Sequence, residues 1–247
     1  MPRDDGRRPF WDRRTVPAGV LVAVVIGLLI WVLATRGGGT HHAGAPTTQR
    51  SPASSVATTV KHTPSSGSAC HVPTGSQAVP QYTPQGITWQ LYQTVALPYS
   101  TTAGPMIVDG GVARCYAHDP LGALLAASQI PYRYLIAPDW RQVVQQQVMP
   151  GKGVQVYVPE RSKATNAGGN QPGDYNQLAG FKFVTYSPAV AVIEIASKNG
   201  NGGLEAGPVT VDWSDGDWKL QLQPDGSSSP QVLPITSVVG FATWSGV

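Results

Sequence analysis

Charge is scarce in this chain: 17 Lys and Arg and 14 Asp and Glu are spread over 247 residues. So few charges exclude an acidic solvating tail and the continuous basic footprint of a nucleic-acid-binding protein. Cysteine is scarcer still, with two residues, which rules out a disulfide-dense scaffold or a four-thiolate zinc site. The recognisable catalytic patterns are also missing. There is no G-x-S-x-G elbow, no H-E-x-x-H pair, no glycine loop cradling phosphate ahead of a helix and no EF-hand order of acids. On these grounds no catalytic residue, no cofactor and no metal is expected, and the chain reads as a non-enzyme.

What is present begins with an uncharged run from Thr15 to Thr35, flanked by Arg13, Arg14 and Arg36. At 1.5 Å per residue such a run reaches about 30 Å, the thickness of a bilayer's hydrocarbon core. Its apolar body includes Val20, Val24, Gly27, Leu28 and Trp31, and the reading is a transmembrane helix over 15–35 following a basic segment at 1–14. The excess of arginine ahead of the run puts the N-terminus in the cytoplasm and the rest of the chain outside. The competing reading is a cleaved signal peptide, against which the length of the run argues. Gly19, Ala23 and Gly27 fall on one small-residue face, a route to self-association.

Residues 36–69 are dominated by Gly, Ser, Thr, Pro and Ala, a composition that buries too little to offset chain entropy, so a disordered linker is expected. Residues 1–69 hold eight Lys and Arg against three acids, which leaves nine against eleven over 70–247. The domain at 70–247 is therefore slightly acidic, and a nucleic-acid partner is not expected.

Within that domain Cys70 and Cys115 are expected to pair, because two isolated cysteines in an oxidising compartment usually do. Closing a loop of that length stabilises by about 4 kcal/mol in the chain-entropy description. Asp119-Pro120 starts a helix through Leu121, Leu124 and Leu125 that Pro131 is expected to end. Asp139 starts a second, with Trp140, Val143 and Val144 on one face. Val154 to Val158 alternates and reads as a strand; residues 159–180 read as a long loop. Phe181 to Tyr186 and Val190 to Ala196 are strands, the latter apolar on both faces and so central in its sheet.

The strongest local signal is Val209 to Leu222. A two-residue turn at Asp215-Gly216 sets Trp213 opposite Trp218, Val211 opposite Leu220 and Val209 opposite Leu222, with Asp212 opposite Lys219 on the other face. A last strand is expected over Ile235 to Trp244. Helices followed by an antiparallel meander predict an α+β domain, with two or three short helices packed on a curved antiparallel sheet. Trp213, Trp218, His118 and Trp140 are the candidates for a binding cleft. Cys115 as a thiol nucleophile and His118 as a base oriented by Asp119 are the candidates if the domain is an enzyme after all.

The stretches Val112-Ala113-Arg114-Cys115-Tyr116-Ala117-His118, Gly122 to Ala127 and Val211 to Leu220 resemble membrane-anchored proteins of actinobacterial conjugative elements. More distantly the architecture is similar to the exported domains of type IV secretion and conjugation scaffolds, which have a nuclear-transport-factor-2-like cup. That resemblance implies a membrane-anchored scaffold or accessory subunit of a conjugation or secretion apparatus, with lipid, channel proteins and further copies of itself as partners. The alternative function is a cell-envelope module binding a lipid, glycan or peptide in the cup.

Overall fold

The computed structural model describes residue 70 and residues 72–163 and 175–247. Two small hairpins lead the domain. Strand β1 (Ile87–Tyr92) pairs with β2 (Val95–Ser100), and β3 (Ile107–Asp109) pairs with β4 (Val112–Arg114), both antiparallel. Three helices follow: α1 (Pro120–Ile136), α2 (Trp140–Gln147) and α3 (Lys152–Lys163).

The main sheet is antiparallel and contains β5 (Gln177–Tyr186), β6 (Val190–Lys198), β7 (Leu204–Ser214), β8 (Asp217–Leu220), β9 (Leu233–Ile235) and β10 (Ala242–Thr243). Its order is β10-β5-β6-β7-β8, with β9 also on β7. Because β6 pairs with β7 from Leu204 to Asp212, β8 and β9 share the other side of β7, one at each end.

Helix α1 begins as its sequence dictates. The Asp119 carboxylate accepts the Gly122 N–H at 2.8 Å, Pro120 occupies the first turn, and the second carboxylate oxygen accepts the Gly75 N–H at 2.8 Å. One side chain thus caps the helix and fastens the chain entering the domain. Leu124, Leu125 and Ile130 pack against Ala191, Ile193, Val211 and Leu220 of the sheet, and these form the centre of the core. Strand β6 lies between β5 and β7, as two apolar faces require.

The β7–β8 hairpin takes the register its pattern specifies: Trp213 faces Trp218, Asp212 faces Lys219 and Val211 faces Leu220. Pairing stops at Leu220, so Leu222 lies beyond the ladder. Asp215 and Gly216 both have positive φ, 54° and 80°, as a tight hairpin turn demands. At the other end of β4, Cys70 and Cys115 are joined in a disulfide.

Several expectations need correction. Pro131 lies inside α1, which continues to Ile136; the second half is held by burial of Ile130, Arg133, Tyr134 and Ile136, which outweighs the lost backbone bond. Residues 154–158 belong to α3. Their alternation coexists with a helical spacing of Val154, Tyr157, Val158 and Arg161, and Tyr157 wins the contest by packing on Tyr134 and Trp140 with ring centroids 4.7 and 5.7 Å away. The long loop from 159 therefore shrinks, and residues 164–174 lie outside the described residues. The final strand is two short ones, β9 and β10, separated by a turn at Gly240 with φ 87°.

The cupped fold is also corrected. The six-stranded sheet is open and uncurled, so the nuclear-transport-factor-2-like likeness and the scaffold resemblance built on it are withdrawn. Among the described residues no helix is long and apolar enough to cross a membrane. The span expected at 15–35, with Val20, Val24, Gly27, Leu28 and Trp31, and the linker at 36–69 lie outside the described residues. No described segment therefore supports a single-pass topology with a cytoplasmic N-terminus, lipid or channel-protein partners, or self-association through Gly19, Ala23 and Gly27. The membrane-anchored conjugation scaffold and the cell-envelope cup are not carried further.

Candidate functional site

The aromatic candidates separate into two places. His118 stacks on Trp213 with centroids 3.9 Å apart and planes 10° from parallel, and Trp213 meets Trp218 edge-on at 5.4 Å. Trp218 is wholly buried and its indole N–H donates to the Ala117 carbonyl at 2.9 Å. His118 Nε2 lies 2.6 Å from the Pro188 carbonyl. These rings fill one another's space and join the start of α1 to the β7–β8 hairpin. Trp140 sits apart on α2, beneath the Arg141 guanidinium at 4.4 Å and against Tyr157.

Neither enzymatic candidate is assembled. Cys115 is consumed in the disulfide. Both Asp119 oxygens are occupied by backbone N–H groups, so Asp119 does not orient His118. Beside the disulfide, Asp217 accepts the N–H groups of Cys115 at 2.7 Å and of Tyr116 and Trp218 at 2.9 Å each. Burial pushes its carboxyl above the ordinary value, opposed by those three donors and by Arg114. The arrangement locks the left-handed backbone at Cys115, φ 69°, onto the hairpin.

A second buried ion is also structural. Arg133 is fully enclosed and donates to the Gln129 side chain at 2.7 Å, the Gly111 carbonyl at 3.2 Å and the Tyr99 hydroxyl at 2.7 Å, with the Tyr92 ring 4.2 Å away. One side chain of α1 thereby ties down both leading hairpins, and neutral acceptors replace the water it has lost.

The space left open lies elsewhere, between the second half of α1 and the inward face of the sheet. Ile195 and Ser197 of β6 and Glu205, Gly207 and Val209 of β7 share that face, since each set steps by two and the strands pair Ser197 with Glu205 and Ile195 with Gly207. Above them stand Ala127, Pro131, Tyr132 and Leu135; Ser228, Ser229 and Val232 form the third wall, and Tyr175 and Asn176 close one end. The groove encloses about 460 Å³, within the range of roughly 300–1,000 Å³ usual for ligand sites. Its rim carries exposed apolar side chains, Leu135 at 40 % and Val232 at 52 %.

Gly207 shapes the groove by its missing side chain. A Cβ there would lie 2.8 Å from both the Gln231 carbonyl and the Ser229 hydroxyl, so only glycine lets the third wall approach β7. Polar groups cluster at the Asn176 end, where the Asn176 amide donates to Glu205. Burial pushes the Tyr132 phenol well above its usual value, and the neighbouring Glu205 charge adds to the rise. Tyr132 is therefore a neutral hydroxyl at any working pH.

A larger hollow of about 720 Å³ borders the first at Tyr175. Its Gln177 side chain is committed, donating to the Thr94 carbonyl at 2.8 Å and accepting the Ala96 N–H at 3.0 Å.

The groove residues were not among the sequence candidates. They come from five separated stretches of chain, and only the polar Ser197 and Glu205 within otherwise apolar inward-facing rows give a local sign of them. No curated protein and no solved structure matches the chain. A family model described as Domain of unknown function (DUF8175) matches residues 50–243, and the chain belongs to that family.

Proposed function

We propose that this chain is a small non-catalytic accessory domain whose working surface is the groove between α1 and the β6–β7 face, and that it receives there an apolar segment of a protein partner. The observation that carries the reading is the groove itself: an apolar floor of Ile195 and Val209, an apolar rim of Leu135 and Val232, and polar groups gathered at one end. A few directional groups in a mostly apolar cleft are the usual means of fixing orientation while burial supplies affinity. The described lining holds hydroxyls, an amide and one carboxylate, groups that orient a bound segment by hydrogen bonds.

The test is site-specific photocrosslinking in cells that make the protein, with a photoreactive residue at Leu135 or Val232, or at the exposed Val184 as control. The same adduct is expected from both rim positions and none from Val184, with Ile195→Trp in the floor removing it while the thermal transition persists. An adduct that survives Ile195→Trp, or that forms equally at Val184, would overturn the proposal.

A further inference from the structure

Among the described residues that line the groove, Glu205 is the one side chain with a formal charge. The ion pairs among the described residues are Lys163–Glu160, Lys182–Glu194 and Lys219–Asp215, so Glu205 faces no protein cation there. Its described hydrogen-bond partner is the neutral Asn176 amide. Ser197 and Ser228 add hydroxyls that can accept.

We infer that the polar end of the groove selects an ammonium group, so that the partner segment presents a lysine side chain to Glu205 while a neighbouring apolar side chain lies over Ile195 and Val209. This rests on the groove reading above and adds the chemistry of its occupant. An ammonium offers three donors and no acceptor, matching a lining furnished with a carboxylate and hydroxyls. A half-buried carboxylate is less screened than a surface one, so pairing there discriminates more strongly.

Three probes with the same apolar tail separate the two claims: 1-hexanol, hexylammonium and hexanoate, each titrated into the full chain and followed through the methyl NMR signals of Leu135, Ile195, Val209 and Val232. Hexylammonium is expected to bind about tenfold more tightly than hexanol, the size of one charge-assisted hydrogen bond, and hexanoate more weakly than either. Glu205→Gln, nearly isosteric, should abolish the preference while leaving hexanol binding in place. Raising ionic strength should erode the ammonium advantage in the unaltered protein. Equal binding of hexanol and hexylammonium, or a preference that survives both Glu205→Gln and salt, overturns the ammonium inference and leaves the groove reading standing. If no probe moves those methyl signals, the groove reading fails and the inference with it.

Discussion

Asp215 and Asp217 stand two residues apart in one hairpin, yet their surroundings push them in opposite directions. Asp215 is fully exposed and bonded to Lys219, whose hydrogen bond and charge lower its pKa from 3.8. Asp217 is buried, and desolvation raises its carboxyl above 3.8 despite three backbone donors. The consequences for stability have opposite signs. Asp215 contributes stability that is complete above 3.8 and is lost as pH falls through its lowered folded value. Asp217 keeps its proton in the folded chain after the unfolded chain has released it, so its contribution declines as pH rises from 3.8 through its raised folded value. A carboxyl ¹³C NMR titration should place Asp217 above Asp215, and the reverse order would contradict the burial argument. In Asp217→Asn the Asp217 component of the pH dependence should vanish.

At the scale of elements, the β7–β8 hairpin depends on a turn whose two residues both have positive φ. Gly216 has open space where a Cβ would go, so Gly216→Ala isolates backbone strain from crowding. The expected cost is about 1 kcal/mol, measured by denaturant unfolding with an unchanged slope. A loss of several kcal/mol would mean that the turn also packs. This hairpin was legible in the sequence because Asp215-Gly216 and the flanking alternation of Trp213, Val211, Trp218 and Leu220 agree on one register. The start of α1 was legible for the same reason: Asp119, Pro120 and the leucine spacing agree.

Where signals conflicted or were missing, the reading failed. Over Val154 to Val158 a period of two and a period of 3.6 coexist, and only the contacts of Tyr157 with Tyr134 and Trp140 decide between them. The β1–β2 hairpin turns at Gln93 and Thr94, with φ 54° at Gln93, and no glycine or asparagine announces it. Pro131 gave a stop signal that tertiary packing overrode. Aromatic residues drew attention to Trp213 and Trp218, which serve to fill space, whereas the open groove is a product of long-range assembly.

For the whole molecule, the division of labour is between fastening and binding. Asp119, Arg133, Asp217 and the disulfide fasten the leading segment and hairpins to α1 and β8, all with their polar groups engaged. The region they leave open lies beyond the Pro131 turn of α1, over the Ile195, Gly207 and Val209 floor, where apolar surface and the Glu205 carboxylate meet. The central claim is that this groove is the surface through which the domain works. Its most direct test is methyl NMR of the full chain in complex with the protein captured at its rim. Intermolecular NOEs to Leu135, Ile195, Val209 and Val232, with Val184 and Val239 unperturbed, are the expected result. Contacts confined to Val184 or Val239, with the groove methyls unchanged, would contradict it.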